Sequence, residues 1–154
     1  MTETNYWLMK SEPDVYGIDH LMKEKKTLWD GIRNYQARNF MRQMKIEDKV
    51  FFYHSNCKEP AIVGLMKVTR TGLTDHTQFE KSSKYYDQKS NKKEPRWDCV
   101  EVKFLQKFNK KLTLHDLRKK YSQDDLIILR KGNRLSIVPI SLEIANDLIF
   151  CLSD

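Results

Sequence analysis

The chain has 154 residues and a mass of 18.4 kDa, the size of one domain that buries roughly two-thirds of its unfolded surface around a single core. Hydrophobic residues make up 40%, charged residues 32%, and the mean hydropathy is −0.69. That is too apolar for a disordered chain, and no apolar run approaches the roughly 20 residues of a membrane span.

The N-terminus, MTETNYWLMKSEP, lacks a basic segment followed by a long apolar stretch, so no export signal is read there. Cys57, Cys99 and Cys151 are odd in number and far apart, which fits a reducing compartment and argues against a disulfide framework or a zinc finger. The formal net charge is +7, and its distribution is uneven: residues 81–111 carry ten bases against four acids, while the rest of the chain nearly balances. A local basic excess attracts polyanions, most commonly nucleic acid. A solvated lysine-rich loop is the plainer alternative.

Tyr6–Lys10 reads as a short strand, broken by Ser11-Glu12-Pro13-Asp14. Ile18, Leu21 and Met22 then mark one apolar helical face. Thr27–Trp29 is extended and Asp30-Gly31 forms a turn. From Asn34 to Lys45, Ala37, Phe40, Met41 and Met44 recur at helical spacing. Asp48–Ser55 and Ala61–Arg70 are the strongest strands, rich in Val, Ile, Phe and Tyr and joined by a polar Asn56–Pro60 turn. Residues 71–95 are polar and irregular, a length of connection that is usually functional or mobile.

Trp97–Phe108 alternates again, with Val100, Val102 and Phe104 facing one way. Leu114–Lys120 is a short helix and Leu126–Leu129 an apolar run. Leu135–Val138 is a last strand after a Lys131-Gly132-Asn133 turn, and Ser141 caps a C-terminal helix through about Phe150. Strands dominate the middle without strict strand-helix alternation, which argues for a mixed barrel or a compact α+β sheet rather than a doubly wound parallel sheet.

Enzyme motifs are scarce. No glycine-rich phosphate loop, Gly-x-Ser-x-Gly or His-Glu-x-x-His is present. His20, His54, His76 and His115 form no ligand cluster, and the spacing of His54 and Cys57 favours a structural role over a metal site or a nucleophile. No cofactor is expected. Trp7, between Tyr6 and Leu8, reads as core. Trp29 in Trp29-Asp30-Gly31-Ile32-Arg33-Asn34-Tyr35 and Trp97 in Pro95-Arg96-Trp97-Asp98 lie beside polar groups and are either core or walls for a planar or cationic ligand. Arg130-Lys131-Gly132-Asn133-Arg134-Leu135-Ser136 reads as a basic hairpin whose arginines could hold a phosphate.

Six segments together resemble the signature blocks of the EVE domain family. They are Tyr6–Pro13, Trp29–Phe40, Phe52–Asn56, Tyr85-Tyr86-Asp87, Pro95-Arg96-Trp97 and Gly132–Ser136, in the family's order. The resemblance implies one α+β domain over 1–154, a PUA-like mixed β pseudo-barrel with short flanking helices, related to the YTH domains that read N6-methyladenine. It implies a non-catalytic reader of a modified base, methylated or hydroxymethylated, with DNA as the favoured polymer and RNA as the alternative partner.

By that likeness, Trp29 and Trp97 would be the cage walls, with Ser11, Asn34, Arg33, His54 and Ser55 as polar lining. Lys10, Tyr35, Arg38, Tyr85, Arg96, Arg130, Asn133, Arg134 and Ser136 would form the rim and touch the backbone, and Lys84, Lys89, Lys92 and Lys93 would attract phosphate. The location implied is the cytoplasm of a bacterium, or the nucleus of a eukaryote. Two other readings stay open: a sensor of a free nucleoside or small metabolite, and an enzyme associated with RNA modification.

Overall fold

The computed structural model describes residues 4–153. In chain order the elements are β1 (Tyr6–Ser11), α1 (Pro13–Tyr16), α2 (Ile18–Glu24), β2 (Lys26–Trp29), α3 (Tyr35–Arg42), β3 (Lys49–His54), β4 (Ala61–Thr74), β5 (Asp98–Thr113), α4 (Leu114–Lys120), β6 (Ile137–Ile140) and α5 (Leu142–Leu152). The strands form one mixed sheet in the order β2-β5-β4-β3-β1-β6. Among the described residues its only parallel pair is β1 with β3, and the remaining neighbours are antiparallel.

The apolar runs of β1 and β3 explain why they lie inside the sheet rather than at its edge. A strand covered on both faces reads as continuous hydrophobic sequence rather than as alternation. Trp7 and Met9 of β1, with Val50 and Phe52 of β3, join one core that includes Ile18, Leu21, Ala37 and Met41 from α2 and α3. Leu8, Phe51 and Tyr53 point to the other face, where Leu117 of α4 and Ala145, Leu148 and Leu152 of α5 cover them. Trp7 is core, as its setting predicts, and its indole N–H donates to buried Asp48 at 3.0 Å. Gly64 on β4 makes room for α2: a Cβ there would lie 2.4 Å from Cδ1 of Ile18.

Several boundaries move from their sequence-based places. The helix predicted over Asn34–Lys45 spans Tyr35–Arg42, because Asn34 is its N-cap and accepts from the Ala37 N–H at 2.9 Å. β4 runs on to Thr74 and β5 to Thr113, with register shifts along their pairing that mark bulges or irregularities. The last strand is Ile137–Ile140 rather than Leu135–Val138, and Pro139 is tolerated because β6 lies at the sheet edge. Leu126–Leu129 closes into a 3₁₀ turn over Ile127–Leu129. Ser141 caps α5, accepting from the Ile144 N–H at 3.3 Å. Among the described residues no helix is long and apolar enough to cross a membrane.

Candidate functional site

A cavity of about 790 Å³ opens where the C-terminal end of β1 meets α1, the turn after β2 and the irregular segment between β4 and β5. That volume lies within the usual range for a small-ligand site. Main-chain bonds fix one side of it. The Lys10 N–H donates to Ser136 O at 2.8 Å and the Ser55 N–H to Ser11 O at 3.0 Å. Lys10, Ser11, Ser55, Arg134 and Ser136 therefore reach the lining from three adjacent strand ends.

The opposite side is built around Trp29, Asp30 and Gly31, with Lys84 and Tyr85 laid against them. Trp29 is 7% exposed and packs edge-on against Phe52, ring centroids 5.4 Å apart. Gly31 has φ +80°, and a Cβ on it would sit 2.6–2.9 Å from three atoms of the Tyr85 ring. Only glycine lets that ring close on the turn. Tyr16 of α1 adds a third aromatic ring to the lining.

Behind this wall lies a buried polar knot. The Asp75 carboxylate, wholly buried, accepts from the Gly31 N–H at 2.8 Å, from the Arg33 guanidinium at 3.0 Å and from the Thr77 N–H at 2.9 Å. Burial alone would raise its pKa, but the bonds from Thr77 and Gly31 and the charge of Arg33 outweigh it and hold the carboxyl below its ordinary range. Arg33 also donates to Tyr85 O at 2.6 and 2.9 Å and to Thr77 Oγ at 3.1 Å. One guanidinium thus ties the Trp29 turn to the 75–97 segment.

The titratable lining groups feel the cavity. Burial pulls the Lys10 ammonium down. Burial, joined by the charge of Asp75, pushes the Asp30 carboxyl up. Burial and a hydrogen bond to Glu24 raise the Tyr16 phenol to about 12.

Of the residues expected in the pocket, Ser11, Trp29 and Ser55 line the cavity, as do Lys10, Tyr85, Arg134, Ser136 and Lys84 from the rim and phosphate sets. The others lie outside the lining. Trp97, expected as the second wall, is 4% exposed and covered by Tyr35, stacked at 4.8 Å, with the Arg33 and Arg38 guanidinia 5.3 and 5.8 Å from its centroid. Its indole N–H donates to Asp87 at 2.8 Å, a bond that helps hold that carboxyl below its ordinary range. Trp97 therefore anchors the 75–97 segment and does not line the cavity.

Arg33 is part of the polar knot, and Asn34 spends its side chain as a helix cap. His54 Nε2 accepts from the Ile18 N–H at 3.1 Å, which puts its proton on Nδ1, and burial lowers its pKa. Arg38 donates to Arg96 O at 2.9 Å, and Asn133 donates to Ile127 O at 2.6 Å. Tyr35, Arg96 and Arg130 also lie outside the lining, and Lys89, Lys92 and Lys93 stand exposed on the neighbouring segment.

Glu12, Val15, Tyr16, Thr27, Leu28, Asp30, Gly31 and Ile32 line the cavity without having been expected there. Asp30 and Gly31 had a signal, since they follow Trp29 directly. Val15 and Tyr16 had none, because only the packing of α1 and α2 brings them in.

With this geometry in hand, the chain can be set beside known proteins. A model of the EVE domain matches residues 5–151. Mouse thymocyte nuclear protein 1 is 42% identical over 158 residues, spanning 91% of this chain and 70% of the relative. A crystal structure of a Pseudomonas putida protein superposes with a TM-score of 0.91 at 40% identity, covering 94% of this chain and 97% of that one. The human THYN1 protein, crystallised in complex with DNA containing 5-methylcytosine, gives a TM-score of 0.91 at 38% identity, covering 98% and 99%. The fold is accordingly the α+β, PUA-like one expected, and the chain belongs to the EVE domain family.

Proposed function

We propose that the protein is a nucleic-acid-binding module that takes an unstacked, modified base into the cavity beside Trp29 and performs no chemistry of its own. The observation that carries this reading is the composition of one cavity, whose lining combines the aromatic residues Tyr16, Trp29 and Tyr85 with the cations Lys10, Lys84 and Arg134. A base can enter only unstacked or flipped, which costs a few kcal/mol from a duplex. Stacking on an aromatic ring returns about 1–3 kcal/mol. The cations supply attraction to the flanking phosphates that is independent of sequence. The complex of the human THYN1 protein with 5-methylcytosine DNA favours DNA over RNA and a methylated base.

Ser11 donates its hydroxyl proton to Tyr16 O at 2.6 Å, so its oxygen faces a ligand as an acceptor. The engagement of His54 Nε2 with Ile18 supports recognition rather than acid-base chemistry. Fluorescence anisotropy on DNA and RNA oligonucleotides, unmodified or carrying one methylated or hydroxymethylated base, tests the reading. The expected result is tighter binding of a modified oligonucleotide, with the preference lost in Trp29→Ala. Equal binding of every oligonucleotide, falling steeply with salt, would reduce the site to a basic surface.

A further inference from the structure

The hydrogen-bonding groups in and behind the cavity wall are unequally free. The Gly31 N–H is taken by Asp75, the Arg33 guanidinium by Tyr85 O, Asp75 and Thr77, and the Ser11 hydroxyl proton by Tyr16 O. Those donors are already committed. Acceptor capacity remains at Asp30 and Ser11. The Asp30 carboxylate has about four lone-pair positions, its backbone N–H goes instead to Leu28 O at 3.1 Å, and it stands one residue from Trp29 in the lining. Ser11 Oγ retains its lone pairs once its proton is given away.

We propose that Asp30 is the specificity-determining residue of the pocket: it accepts from the exocyclic amino group of a base stacked beside Trp29, so that the pocket admits amino bases of the cytosine or adenine type and refuses their oxo counterparts. An amino edge gives the carboxylate a proton. A carbonyl at the same place on thymine, uracil or hypoxanthine sets lone pair against lone pair. The surroundings of Asp30 agree with this assignment. Partial burial and the nearby Asp75 charge push its carboxyl up, the condition of a carboxylate that gains from an incoming donor. The cations Lys10, Lys84 and Arg134, which do donate, line the same cavity and suit the phosphates.

This inference rests on the base-binding reading above, and the test separates the two. Single-stranded oligonucleotides differing at one position are compared by anisotropy: 5-methylcytosine against thymine, which carry the same methyl group and differ at the amino edge, and adenine against hypoxanthine. Cytosine serves as the unmodified control. The expected result is that the amino member of at least one pair binds about 10- to 100-fold tighter than its oxo partner. In Asp30→Asn that gap should close to about twofold, because an amide can turn either its oxygen or its NH₂ to the base. A melting curve for Asp30→Asn establishes that the variant is folded.

Equal affinity for amino and oxo members in the wild type, or an undiminished gap in Asp30→Asn, overturns the assignment. Equal affinity for cytosine and 5-methylcytosine beside a retained amino-over-oxo gap would sink selection of a pyrimidine methyl and leave Asp30 as the reader of the edge.

Discussion

Along one side of the cavity, Lys10, Ser11, Ser55 and Ser136 are placed by main-chain bonds between β1 and its neighbours. Along the other, Gly31, Tyr85 and Lys84 are placed by side chains: a buried carboxylate, a single guanidinium and a ring resting on a glycine. The first side inherits its geometry from sheet register, which tolerates most substitutions because the backbone makes the bonds. The second depends on a handful of polar atoms in a buried setting, where each unmatched group is expensive. The strand side should therefore behave as scaffold and the 75–97 side as the place where ligand discrimination is gained or lost.

Asp75 is where that contrast breaks most sharply. In Asp75→Ala the Gly31 N–H and the Arg33 guanidinium lose their common acceptor, and the expected destabilisation is about 3–5 kcal/mol in a denaturant titration. The 75–97 segment should become the first site of proteolysis. Acid should act through the same group. Its folded pKa is depressed below the ordinary 3.8, so its stabilisation is complete above that value and lost as pH falls through the folded one. Below about pH 4 the wild type should lose stability more steeply than Asp75→Asn, and parallel slopes would assign the acid sensitivity to other carboxylates.

Gly31→Ala should have the next largest effect. Holding a residue with a Cβ at φ +80° costs about 1–2 kcal/mol, and the added methyl also expels the Tyr85 ring. Ligand affinity should fall with stability. Combining the change with Tyr85→Ala separates the causes. The double variant should be more stable than the sum of the single losses by at least about 0.5 kcal/mol, because the clash exists only once. Strict additivity would mean that the ring does not rest on the turn.

How much of this was legible in the sequence follows from the same division. The uninterrupted apolar runs of β1 and β3 announce strands buried on both faces, and Trp29-Asp30-Gly31 reads directly as a tryptophan followed by a turn. The position of Trp97 outside the lining is not legible, because an aromatic residue among Asp, Arg and Pro looks alike whether its ring faces a ligand or is roofed by Tyr35, a residue 62 positions away. Arg33 and Asn34 were polar residues next to a pocket, and nothing in their order reveals that one is tied to Asp75 and the other caps a helix. Val15 and Tyr16 reach the cavity because α2 sits down on Gly64, a packing arrangement without local signature.

Trp97→Phe addresses the roofed tryptophan. It keeps a ring beneath Tyr35 and removes the N–H that Asp87 accepts. The stability loss should be about 1 kcal/mol, the scale of one partly exposed hydrogen bond, and the preference for a modified over an unmodified oligonucleotide should persist. Loss of that preference in a folded Trp97→Phe would return Trp97 to the binding surface and shift the discriminating wall toward Tyr35.

The smallest effects belong to Lys89, Lys92 and Lys93, which stand exposed outside the cavity lining. If they act on the polymer only through its charge, the double change Lys92→Ala and Lys93→Ala should weaken modified and unmodified DNA by the same factor. The slope of log affinity against log salt should become shallower by about 0.9 for each duplex phosphate that is no longer neutralised. Lys84→Ala differs, because Lys84 both lines the cavity and lies over the Tyr85 ring, 5.1 Å from its centroid. Its removal should lower the salt slope and narrow the modified-to-unmodified ratio together. An unchanged ratio in Lys84→Ala, matching the outer lysines, would move the boundary of the discriminating wall inward to Gly31 and Tyr85 and leave the whole lysine segment as long-range attraction.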